Sequence, residues 1–151
     1  MERLPYIDVH SLHMEATCEQ VWPALLAMLR NDLGGRESAS FTRLLGTVPG
    51  GLQGDWRGTP APGDSLPGFE VSEILPLRRL ALRGHHRFSR YALVFELDPD
   101  DQADTSGCTL RAQSWAEFPG ATGRAYRALV IGSHGHRLVV RRLLRQVARR
   151  V

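Results

Sequence analysis

Between the Phe118-Pro119-Gly120 break and Val151, the positions Ala125, Leu129, Gly132, His136, Val140, Leu143 and Val147 recur every three or four residues. That spacing predicts one long C-terminal helix carrying a mostly apolar stripe, which needs a partner surface. The preceding sequence supplies strands. Residues 5 to 14 alternate loosely and predict a first strand with Ile7, Val9 and Leu12 on one side. Thr17 follows as an N-cap, with Gln20 three positions later as in a capping box. It opens a helix from Cys18 through Val21-Trp22 to Leu29 or Arg30. Pro23 falls in the second turn of that helix, so the helix either kinks there or begins later.

Asn31-Asp32-Leu33-Gly34-Gly35 closes this helix, and Phe41 to Leu45 reads as a second short helix or a turn. Gly46 to Gly68 holds seven glycines and four prolines, which predicts loops with a short strand around Leu52 to Arg57. Sheet patterning returns at Phe69 to Leu75, Arg79 to Arg83, Tyr91 to Leu97 and Cys108 to Phe118, an antiparallel meander. Alternation also assigns faces. If Leu93, Phe95 and Leu97 point inward, Tyr91 and Ser89 join them and Glu96 points out, while Leu110, Ala112, Ser114 and Ala116 share a face. Small and polar inward residues beneath a stripe interrupted by Gly132 and His136 leave space, and space with a few polar groups makes a ligand pocket.

A length of 151 residues suits one domain, taken as 1–151. No apolar run is long enough to span a bilayer. Met1-Glu2-Arg3-Leu4-Pro5 is not the start of a secretory signal, so a cytoplasmic location is expected. Cys18 and Cys108 lack CxxC spacing and are expected to be buried free thiols. All nineteen basic residues are arginine. No acidic residue follows Glu117, whereas Arg124, Arg127, Arg137, Arg141, Arg142, Arg145, Arg149 and Arg150 do. Cations suit a helix C-terminus. The clustered arginines also leave an anionic membrane surface open as a partner, while nucleic acid is disfavoured because no aromatic platform interleaves them. A solvated helix face is the preferred reading.

The element order carries a family resemblance. A strand, Ala16-Thr17-Cys18-Glu19-Gln20-Val21-Trp22 opening a short helix, Gly63 to Val71, paired strands and a basic C-terminal helix resemble the SRPBCC superfamily. These are the START-like or Bet v 1-like helix-grip proteins, which include polyketide cyclases and lipid-transfer domains. Phe118-Pro119-Gly120, Gly123, Tyr126 and His136 are similar to a bacterial DUF2867-like, polyketide cyclase-like subgroup of unknown function. The resemblance implies an α+β helix-grip fold. A curved antiparallel sheet would wrap around the long C-terminal helix, with one or two short helices after the first strand. It implies no reaction, since one fold hosts many functions.

The candidate chemistry is sparse. Alternation sends His85 and Arg87 one way and His86 the other, and an exposed histidine-containing turn is the preferred reading of that cluster. His136 lies on the stripe, as a satisfied core histidine or as an acid or base beside a pocket. Tyr126 is read as a core tyrosine or as one turning its hydroxyl to a ligand. Trp56 is expected to close the cavity mouth or cover the core, and Trp115 and Glu117 to point outward. No nucleophile elbow, phosphate loop or metal-ligand set is present, so neither metal nor other cofactor is expected. The expectation is a binding module for a small hydrophobic molecule, lipid or polyketide-like. Its ligand-binding residues would be Tyr91, Phe95, Ala112, Ser114, Tyr126, Leu129, Gly132 and His136. The alternative is a cyclase- or dehydratase-like enzyme using His136 or Tyr126.

Overall fold

The computed structural model describes residues 4–34, 51–100, 106–132 and 134–151. The segment Phe41 to Leu45, expected as a short helix or turn, lies outside them. Among the described residues an antiparallel sheet of six strands runs in the order β1-β6-β5-β4-β3-β2. The strands are β1 (Tyr6–Met14), β2 (Ser65–Leu66), β3 (Phe69–Leu75), β4 (Arg79–His86), β5 (Ser89–Asp100) and β6 (Gly107–Glu117). The architecture is α+β, as expected, with helices gathered over one face of the sheet. Of the strand expected at Leu52 to Arg57, only a single bridge from Gln53 to Ser65 forms.

The first helix, α1 (Cys18–Met28), begins where the capping box places it. Thr17 Oγ1 accepts from Gln20 N, and the Gln20 side chain accepts from Thr17 N at 3.0 Å. Pro23 sits inside the helix rather than at its start. The chain then widens into a π turn over Leu29–Leu33. Val21, Leu25, Met28 and Leu29 are fully buried against β5 and β6.

The expected single C-terminal helix is two: α2 (Gly120–Val130) and α3 (Gly135–Ala148). Between them His134 adopts a left-handed backbone, φ 60°, beside Gly135, and an α-helix does not continue through such a residue. The stripe therefore splits. Val140, Leu143, Leu144 and Val147 of α3 are buried against α1, β1 and β6. Leu129 of α2 is 71% exposed, and Ala125 and Gly132 are exposed too.

A second correction concerns the cysteines. Cys18 at the head of α1 and Cys108 in β6 form a disulfide, Cα–Cα 5.3 Å, in place of the expected free thiols. Their separation of 90 residues hid the pairing, because strand register decides it. Cys108 lies opposite Met14, the last residue before the turn into α1. Among the described residues no helix is long and apolar enough to cross a membrane.

Candidate functional site

Strand register arranges the inner face in rows. Leu97 faces Leu110; Phe95 lies between Leu80 and Ala112; Leu93 lies between Leu82 and Ser114; Tyr91 lies between Gly84 and Ala116. The first two rows are filled by side chains and covered by α1. In the last two rows the side chains shrink to Ser114, Ala116 and Gly84. Here the sheet and the C-terminal helices border a half-open cavity of about 620 Å³. Ile7, Phe69, Leu93, Ala116, Val140 and Leu143 supply much of its apolar wall.

Five of the eight residues expected to bind ligand line this cavity: Tyr91, Ser114, Tyr126, Leu129 and His136. Phe95 and Ala112 are fully buried one row away and belong to the packed core. Gly132, in the break between the helices, does not line it either. Trp56, 2% exposed, covers the core, its indole N–H donating to the carbonyls of Gln53 and Ser65. Trp115 alternates away from Ser114 and Ala116 and its ring meets Tyr6 edge-on at 5.2 Å, yet the residue also contributes to the cavity lining.

One end of the cavity is an aromatic collar. Tyr126 of α2 stacks on Phe88, centroids 5.7 Å apart, and meets the His86 ring edge-on at 5.0 Å. Gly123, one turn earlier, has no room for a Cβ, which would lie 2.7 Å from the Phe118 carbonyl carbon. This lets α2 settle onto the strand ends. His86 is thus part of the cavity wall rather than an exposed turn residue, because it ends the inward series Leu80, Leu82, Gly84. Its Nδ1 accepts from Phe88 N at 3.1 Å, so the neutral ring carries its proton on Nε2 and donates to Ser89 Oγ at 2.9 Å. Burial, and then the neighbouring His85, lower the His86 pKa from 6.5. Burial raises the phenol of Tyr126, and burial followed by Tyr126 raises that of Tyr91, so both stay protonated at neutral pH.

The other end is polar in a way the sequence reading missed. Ile7, Val9 and Leu12 were expected on one side of β1, yet Val9 is 46% exposed while Ile7 lines the cavity. The β1–β6 register shifts between Tyr6 and Asp8, and such an irregularity re-aims the side chains that follow it. Asp8 pairs with Ser114, His10 with Ala112 and Leu12 with Leu110, so Asp8 and His10 share the inner face. Asp8 Oδ2 lies 3.2 Å from His10 Nε2, and Asp8 Oδ1 lies 3.3 Å from His136 Nε2 at the start of α3. A carboxylate only accepts, so both imidazoles carry a proton on Nε2. Ser114 Oγ is buried with no hydrogen-bond partner among the described residues. The parity of Leu12 with Met14 was the available signal, since it puts His10 and Asp8 on the core side.

The basic residues Arg124, Arg127, Arg137, Arg141, Arg142, Arg145 and Arg149 are exposed, and Arg150 reaches Asp32 at 3.5 Å. Among the described residues no cluster of three His, Cys, Asp or Glu side chains is placed to hold a metal ion.

The chain matches no family model and no curated protein. It does resemble solved structures along nearly its whole length. A conserved protein from Geobacillus kaustophilus shares 16% identity over 93% of this chain and 91% of that one, with a TM-score of 0.53. A protein from Nitrosospira multiformis shares 16% over 95% and 94%, TM-score 0.53. Truncated norcoclaurine synthase from Thalictrum flavum shares 13% over 98% and 95%, TM-score 0.50. Likeness at such identity is one of fold alone.

Proposed function

We propose that this protein binds a small, largely apolar molecule between its sheet and its C-terminal helices. The observation that carries the reading is the half-open cavity of about 620 Å³, walled by apolar side chains with a few polar ones at its two ends. Sites of that size and lining suit small organic ligands. The ligand would be lipid- or polyketide-like, a choice that accords with the polyketide cyclase-like subgroup suggested by Phe118, Gly123, Tyr126 and His136. Native mass spectrometry of the purified protein is expected to detect a bound molecule. Ala116→Phe, which fills the cavity beside Tyr91, is expected to lose it. A wild-type protein that is empty and fails to take up apolar probes overturns the reading.

A second reading is favoured by the Asp8–His136 hydrogen bond. A histidine held by a carboxylate beside a cavity is equipped to move a proton, as in a cyclase or dehydratase. Tyr126, kept protonated by burial, suits the role of a proton donor in such chemistry. A His136→Ala variant that retains the ligand but abolishes its conversion would select this reading.

A further inference from the structure

Two polar atoms at the β1 end of the cavity have hydrogen-bonding capacity that no described residue uses. Ser114 is 4% exposed, its Oγ has no partner among the described residues, and it lines the cavity. A buried hydroxyl left unsatisfied costs free energy, so native structures rarely keep one without a reason. Directly across the β1–β6 ladder is Asp8, which holds the Nε2–H of His136. That bond fixes the tautomer, so the Nδ1 of the neutral ring is a lone-pair acceptor. The His136 ring also lines the cavity. The second Asp8 oxygen is engaged by His10, so the carboxylate is held from two sides.

We infer that Ser114 and His136 form a subsite for a hydroxyl group on an otherwise apolar ligand, with Asp8 as the residue that positions His136. This rests on the proposed cavity binding and goes beyond it by naming the ligand's polar group. The ligand O–H donates to His136 Nδ1, and its oxygen accepts from Ser114 Oγ–H. A hydroxyl satisfies both protein atoms at once. A carbonyl satisfies only the serine, and a methyl group satisfies neither. The ligand class is therefore an apolar alcohol, phenol or enol, inserted with its hydroxyl toward β1 and its body toward the Tyr126 collar.

The test compares 2-naphthol with 2-methylnaphthalene, probes of nearly equal size that differ in this group, by calorimetric titration. Wild-type protein is expected to prefer 2-naphthol about tenfold. Ser114→Ala and His136→Phe should each reduce the preference to near unity while leaving 2-methylnaphthalene affinity unchanged. Asp8→Asn should reduce it as well, though that variant keeps both atoms that meet the hydroxyl, and a purely structural role would lower both affinities together. Ser114→Ala breaks no hydrogen bond, so its melting temperature should not fall, which keeps the test independent of folding. Equal affinity for the two probes in wild type overturns the subsite and leaves cavity binding standing. So does a preference that survives Ser114→Ala and His136→Phe but disappears in Tyr126→Phe. Failure of either probe to bind overturns the cavity reading and the subsite with it.

Discussion

The Tyr91 hydroxyl donates to the Gly68 carbonyl at 2.8 Å, tying the third residue of β5 to the β2–β3 turn. The contact exists because Gly84, the cross-strand partner of Tyr91, has no side chain. A Cβ there would meet the Gly68 oxygen at 1.9 Å and Tyr91 Cε2 at 2.8 Å. Gly84→Ala is expected to destabilise the fold by about 1–3 kcal/mol through overpacking against backbone. Tyr91→Phe, which removes only the hydrogen bond, should cost about 1 kcal/mol. Urea unfolding of the two variants checks both the order and the sizes.

His86 gives the stability a pH dependence of definite sign. Its pKa in the fold is lowered from 6.5, so below that value the unfolded chain binds more protons than the native one. The contribution of neutral His86 is therefore fully present above pH 6.5. It is lost as pH falls from there through the lower folded value. His86→Phe should flatten this part of the profile, which denaturation midpoints measured across the histidine range will show.

The Cys18–Cys108 disulfide closes a loop with a sequence separation of 90 residues. Loop-closure entropy assigns such a link about 4–5 kcal/mol, so the Cys18→Ser, Cys108→Ser double variant should melt well below the parent. Thiol titration of the denatured protein before and after reduction checks that the link is present.

The two C-terminal helices should differ in local stability. α3 buries Val140, Leu143, Leu144 and Val147, whereas α2 is anchored chiefly through the ring of Tyr126. Amide hydrogen exchange in α2 is expected to be faster than in the buried half of α3 by several orders of magnitude. Tyr126→Ala should accelerate α2 alone.

Much of this was legible in the sequence for identifiable reasons. Alternation in Tyr91 to Leu97 and in Leu110 to Ala116 placed the inward residues correctly, because each strand is long enough for its period of two to speak. The Thr17–Gln20 capping box located α1 because capping is local. The failures were non-local. Pairing of Cys18 with Cys108 depends on register, and the inward turn of Asp8 depends on an irregularity in the β1–β6 ladder. Leu129 followed the helical period faithfully, but the left-handed His134 ended that period before it reached α3. The site was therefore half visible: Ser114, Tyr126 and His136 could be picked out, while Asp8, His10 and His86 lie on the inward parity of their strands but owe their pairings to neighbours that only the folded sheet supplies.

The gradient along the inner face, from Leu97 and Leu110 at one end to Ser114, Ala116 and Gly84 at the other, separates two kinds of mutational tolerance. At the filled end a substitution is felt by the whole molecule. At the open end Gly84 is held small by the Gly68 carbonyl, but Ser114 and Ala116 border the cavity, and side chains of different size can be exchanged there with little loss of folding. Ligand preference in this architecture can therefore drift while the scaffold beneath it stays constant.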